Sequence, residues 1–207
     1  MSRFAHVWRN ARWVLPFAVV NSSIYYWLNQ HPLRAPRELP LTAIDRAVPF
    51  VPLTLWPYLI LMLPDLVLPL ALRAREIFRD TLIAYVIAIA SNMTIWSLWP
   101  TVYPRPAAPS GDDLTSVCFR IMVEVDSPAN CFPSGHITIP AVACWGLARE
   151  HPKHRGLIWA TLLLFSVTVL TTKQHYFVDI LGGFGTAFWG IFWSKQIARR
   201  LRPGEVV

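Results

Sequence analysis

Six long apolar runs decide most of what this chain can fold into. They cover residues 13–28, 51–72, 81–99, 137–147, 156–172 and 176–193. A helix that crosses a bilayer needs about 20 mainly apolar residues, within a range of roughly 17–25. The second, third, fifth and sixth runs meet that length, and the first and fourth need their flanks to reach it. A soluble helical bundle would instead carry amphipathic stripes, whereas the second and sixth runs are apolar all round. Only 15% of the 207 residues are charged, against about 25% in soluble domains. The expected fold is all-α and polytopic, with six transmembrane helices in one bundle and a single domain over residues 1–207.

Charge orients that bundle. Thirteen of the 19 Lys and Arg residues fall at the N-terminus, in the gaps after the second and fourth runs, and in the C-terminal tail. The alternate gaps hold the other six: Arg34, Arg37, Arg46, Arg105, Arg120 and Lys173. Loops rich in Lys and Arg stay cytoplasmic, so both termini are expected inside. For a short, bacterial-looking chain this means the inner membrane, with the opposite face toward the periplasm. The net charge of +7 then serves topology and contact with anionic lipid headgroups, and nucleic acid is not expected as a partner. Residues 1–20 have the basic start of a signal peptide, but no small-residue cleavage site follows, so they read as the first span.

The sequence shows no repeat and no second domain. The proline-bearing stretch at 28–50 is expected to lie along the membrane surface. The longest gap, residues 100–133, is punctuated by Pro, Gly, Asp and Asn, the chemistry of a loop. Within it "SVCFRIMVEV" fits a short helix or strand. Glycines cluster in "LGGFGTAFWG", where small residues allow membrane helices to approach closely. Cys144 lies inside the fourth run and reads as packing. Cys118 and Cys131 share the long outer loop, where an oxidising compartment allows them to pair.

Three stretches converge on the outer face of this topology: "YPRP" with Arg105, "CFPSGH" with His136, and "TTKQHYFVD" with His175 and Asp179. His175 and Asp179 are four apart and share one helix face. A carboxylate there fixes the imidazole tautomer and leaves the other ring nitrogen with its lone pair, the arrangement of an activated nucleophile or general base. His136 supplies a second imidazole to protonate a leaving oxygen. Ser134 is expected as a helix N-cap and Gly135 as a point of close backbone approach, so that free N–H groups form an anion site. Arg105 can hold a phosphate bidentately, and Lys173 adds a point charge. Together these residues describe phosphoryl transfer through a phosphohistidine. Two histidines and an aspartate also suit a metal, but no third strong ligand is evident in the sequence, so no metal or other cofactor is expected. Asp65, inside "LMLPDLVLP", is a charge within an apolar run and a functional suspect on that ground; its distance from the outer motifs favours a structural role. A proton-coupled transporter would use Asp65 and the histidines along a path through the bilayer, whereas the histidines gather at one surface.

These residues resemble the type-2 phosphatidic acid phosphatase superfamily of membrane lipid phosphatases and phosphotransferases. The family pattern runs Lys-x6-Arg-Pro, then Pro-Ser-Gly-His, then Ser-Arg-x5-His-x3-Asp. The second block is complete here at Pro133, Ser134, Gly135 and His136. The first keeps Arg105 and Pro106 but has Leu98 in place of lysine, and the third keeps His175 and Asp179 with Thr168 and Val169 in place of Ser-Arg. The resemblance spans residues 98–179, with a motif-bearing core of about 98–194, and implies a six-helix membrane fold. It implies His175 as nucleophile, Asp179 as its orienting partner, His136 as acid, and Ser134, Gly135 and Arg105 as phosphate ligands, without a metal. Lys173 is a candidate to replace one missing cation. The wording "NCFPSGH" and "KQHYFVDILGG" is similar to the branch of inositol phosphorylceramide and sphingomyelin synthases. The expected activity is therefore hydrolysis of a lipid phosphoester or pyrophosphate, with transfer of a phosphorylated headgroup to a lipid hydroxyl as the alternative.

Overall fold

The structure is a computed structural model that describes residues 4–62 and 68–201. Eight α-helices occur among them: α1 (Ala5–Gln30), α2 (Ala43–Ala47), α3 (Leu55–Met62), α4 (Arg75–Leu98), α5 (Leu114–Val125), α6 (Gly135–Glu150), α7 (Arg155–Thr171) and α8 (Phe177–Leu201). The exception to the all-helical expectation is a pair of two-residue strands, β1 (Arg37–Glu38) and β2 (Thr101–Val102), paired in parallel. "SVCFRIMVEV" lies in α5, so the helical alternative holds.

Among the described residues, three helices are long and apolar enough to cross a membrane: Arg75–Leu98, Phe177–Leu201, and Pro152–Thr171, in which α7 continues a 3₁₀ turn. They mark the chain as an integral membrane protein and correspond to the third, fifth and sixth runs. The other three runs fall short of the expectation. α1 has 26 residues, but Arg9, Asn10, Arg12, Asn21 and Asn29 dilute its apolar character. α6 has only 16 residues. The second run is not one continuous helix: α3 ends at Met62, and a 3₁₀ turn occupies Leu68–Ala71. Pro52 and Pro69 fall in the 3₁₀ turns at Pro52–Thr54 and Leu68–Ala71, where a missing backbone donor and a crowding ring disfavour continuous α-helix. Asp65 lies outside the described residues.

The core is built on α4 and α8, with α6 packed against both. Glycine sets how closely they meet. A Cβ on Gly190 would collide with the Ala84 carbonyl and come within 2.9 Å of the Ala88 Cβ. On the same helix, a Cβ on Gly183 would sit 2.7 Å from the Ser134 carbonyl and 2.9 Å from the Ile137 Cβ. The glycine-rich face of α8 is thus an approach surface, as expected. One end of the trio is closed by charge: buried Asp80 accepts from Arg79 (2.8 Å) and Arg149 (3.1 Å). The other end carries the sequence motifs.

Candidate active site

Pro133 and Ser134, which open the "PSGH" turn, are tied to different helices. Trp96 of α4 donates its indole N–H to the Pro133 carbonyl at 3.0 Å. The Ser134 N–H donates to the Asp179 carbonyl at 3.0 Å, joining the entrance of α6 to that of α8. Below the turn, the Thr138 hydroxyl lies within hydrogen-bond distance of the Ser134 carbonyl (2.9 Å), the Gly183 carbonyl (3.2 Å) and Thr186 Oγ1 (2.9 Å). Asn92 of α4 completes the knot, donating Nδ2 to Thr138 Oγ1 at 2.9 Å. A buried polar network with this many partners holds its members rigidly.

This scaffold brings His136, His175 and Asp179 into one line. His136 Nδ1 lies 3.0 Å from His175 Nε2, and His175 Nδ1 lies 3.2 Å from Asp179 Oδ2. The same Asp179 oxygen accepts the Tyr176 N–H at 2.9 Å, while its Oδ1 is buried with no partner among the described residues. His175 is 5% exposed and Asp179 fully buried. With a hydrogen on Nδ1 directed at the carboxylate, His175 presents Nε2 as an acceptor, and that nitrogen faces His136. Tyr58, stacked on Phe165, backs the His136 ring at 5.7 Å between centroids. Both histidines line a cavity of about 230 Å³. Its wall also includes Asn92, Trp96, Asn130 and Gly135, the polar Asn21 and Ser22 with Tyr25 from α1, and apolar side chains from α3, α4 and α6.

The remaining expected site residues divide. Gly135 lines the cavity beside His136, while the Ile137 and Thr138 N–H groups of α6's first turn donate to the Ser134 carbonyl at 3.2 and 3.0 Å. Ser134 occupies the N-cap position, but its hydroxyl makes no capping bond. That hydroxyl is buried with no partner among the described residues. Arg105 stands behind the site and does not line the cavity. Its guanidinium donates to the Asp126 carbonyl, to Asp126 Oδ2 at 3.2 Å and to the Ser127 carbonyl at 3.5 Å. Asp126 is fixed in turn by the Tyr25 hydroxyl at 2.7 Å.

Two expectations are corrected. Lys173 does not supply a missing cation to the cavity. Its ammonium donates to the carbonyls of Asp45 (2.8 Å) and Val48 (2.5 Å), and its backbone is left-handed with φ 55. Cys118 and Cys131 do not pair, and all three cysteines are free. Cys118 packs against the main core, whereas Cys131 packs with Tyr103 and Tyr176 and directs its thiol to the Pro128 carbonyl.

Sequence reasoning also missed residues. Cys131 is the third ligand that the histidine and aspartate had lacked: ligand atoms of Cys131, His175 and Asp179 all lie within 4.8 Å of one another. Burial, reinforced by Asp179, pushes the Cys131 thiol well above its ordinary pKa. Asp45 caps α8 from a distant segment, accepting the Phe177 N–H at 2.7 Å through Oδ1. Its other oxygen accepts from the Thr42 N–H and hydroxyl. A Thr-x-x-Asp capping signature at 42–45 was the available signal, although its second duty at residue 177 depends on tertiary structure.

Residues 38–193 match the family described as the PAP2 superfamily. The chain belongs to the PAP2 superfamily. Membership implies a phosphatase or phosphotransferase with a phosphate-ester substrate. The matched segment includes α2, α3 and α4 as well as the motif-bearing helices, so the Asp45 cap and the Trp96 tie fall within the family region. No curated protein and no solved structure matches the chain.

Proposed function

We propose that the chain is a metal-independent lipid phosphatase of the PAP2 superfamily that cleaves a phosphoester or pyrophosphate through a phosphohistidine on His175. The observation that carries this reading is the line Asp179–His175–His136 at the wall of an apolar cavity, at the motif end of the candidate membrane spans. Asp179 holds the Nδ1 hydrogen of His175, and Nε2 attacks phosphorus. The phosphorus–oxygen bond to the leaving group breaks as His136 delivers a proton to that oxygen. Neutral His136 then takes a proton from water, which attacks the phosphohistidine and frees both His175 and inorganic phosphate. The 3.0 Å contact between the rings must open for the phosphoryl group to enter, so substrate binding separates the two imidazoles. The lipid tail lies against the apolar wall, within a six-span bundle whose termini are cytoplasmic and whose site faces outward.

A second reading, headgroup transfer to a lipid hydroxyl, is favoured by the positions where the family pattern carries cations. Leu98 is exposed and Val169 is buried, so these two positions add no charge to balance a phosphomonoester dianion. Phosphate release should be measured from a panel of lipid phosphates with purified protein in detergent and EDTA, beside His175→Ala. Release by the wild type alone supports the phosphatase. No release by folded protein, with headgroup transfer appearing once diacylglycerol, ceramide or polyprenol is added, would move the assignment to the transferase.

A further inference from the structure

The site must bind phosphate with few cations, and one neutral group is placed to help. Asn130 is 2% exposed and lines the cavity that His136 and His175 share. Neither its Nδ2 nor its Oδ1 has a partner among the described residues. Burying an amide with both ends unsatisfied is unfavourable, so the fold keeps this group bare against the free energy of folding.

The surrounding backbone fixes where the amide points. The Ala129 carbonyl accepts from Asn29 at 3.2 Å, and the Cys131 N–H donates to the Thr101 carbonyl at 3.3 Å. The next N–H, of Phe132, donates to the Thr101 hydroxyl at 2.7 Å. Asn130 itself is left-handed, with φ 57. Bonded neighbours on either side and a bare side chain facing the cavity make a preorganised donor, the arrangement that favours developing negative charge without reorganisation.

We infer that Asn130 is a substrate-binding residue that donates its side-chain amide to a non-bridging oxygen of the phosphoryl group attacked by His175. The inference rests on the phosphoryl-transfer reading and extends it: a neutral donor serves where the family pattern has cations. The competing explanation is that asparagine is present only because it tolerates left-handed backbone.

Asn130→Gly separates the two, since glycine takes that backbone freely and carries no amide. In the purified full chain, wild type is expected to gain thermal stability from orthovanadate, a phosphoryl mimic. Asn130→Gly should melt close to wild type, lose that gain, and fall about 10²-fold in kcat/KM, the usual cost of losing one oxyanion donor. Asn130→Asp, which also tolerates the backbone, should lose the gain and be weaker still, and it provides a second variant if glycine loosens the loop. Wild-type vanadate response and turnover in Asn130→Gly would overturn the inference and leave the phosphatase standing. A wild type that neither responds to vanadate nor acts on any lipid phosphate would overturn both.

Discussion

The half of the site gathered at the entrances of α6 and α8 and the half that surrounds it in connecting segments are held by opposite means. His136, His175 and Asp179 stand at the entrances of α6 and α8, where glycine contacts and the Thr138 network fix two helices directly against each other. Their polar atoms are directed at one another. Arg105 and Lys173 stand in connecting segments, and their cationic groups are directed at backbone carbonyls and Asp126. Residues of the first kind lie where chemistry can occur. Those of the second kind shape the loops that surround it, although composition alone makes both look like phosphate ligands.

Breaking the half at the helix entrances should have the largest effect. His175→Ala is expected to lower phosphate release by about 10³-fold or more, because the nucleophile is gone, while the melting temperature in detergent stays near that of wild type. A folded variant that retains more than a tenth of the activity would place the nucleophile elsewhere. Asp179→Asn comes next, at about 10²-fold in kcat, since an amide can hold the wrong imidazole tautomer. Its KM should change little. A loss confined to KM would mean that Asp179 serves binding and not the orientation of His175.

The same comparison explains what could be read from sequence. His175 and Asp179 were legible as a pair from their four-residue spacing, although His175 lies in the bend just ahead of α8 and not on a shared helix face, and "PSGH" was legible as a helix entrance. The apolar runs located all three candidate spans. The 3₁₀ turns in the second run were also written there, in Pro52 and Pro69, but apolar composition overshadowed them. Lys173 was misread because a cation's partner depends on where residues 42–48 fold, more than a hundred positions away. Asn130 was passed over because a loop asparagine has no spacing rule, and its significance comes from what fails to bond with it. Cys131 was misassigned because a shared loop does not imply a shared core.

Gly183→Ala probes the seam between the halves. The new methyl would meet the Ser134 carbonyl at 2.7 Å, so α6 and α8 must separate by part of an ångström. Overpacking of this kind costs about 1–3 kcal/mol. The displaced Ser134–Asp179 tie should also lower kcat about tenfold, because small misplacements of reacting groups are costly. A lower melting temperature with unchanged kcat would show that the histidine line tolerates movement of the helices that carry it.

Lys173→Met should have the smallest effect on chemistry, and it is the sharpest test of the comparison. The substitution keeps the length of the side chain and removes the ammonium that joins the 172–177 turn to the carbonyls of Asp45 and Val48. Hydrogen bonds from a charged donor contribute about 1.5–3 kcal/mol, so the melting temperature should fall measurably. Turnover below that temperature should stay within about threefold of wild type, because the perturbation reaches His175 only through a backbone that Asp45 still holds at Phe177. If Lys173 instead faced the substrate during turnover, activity would collapse while stability held. The two measurements therefore move in opposite directions under the two assignments, and one variant decides whether this cation belongs to the loop or to the phosphate.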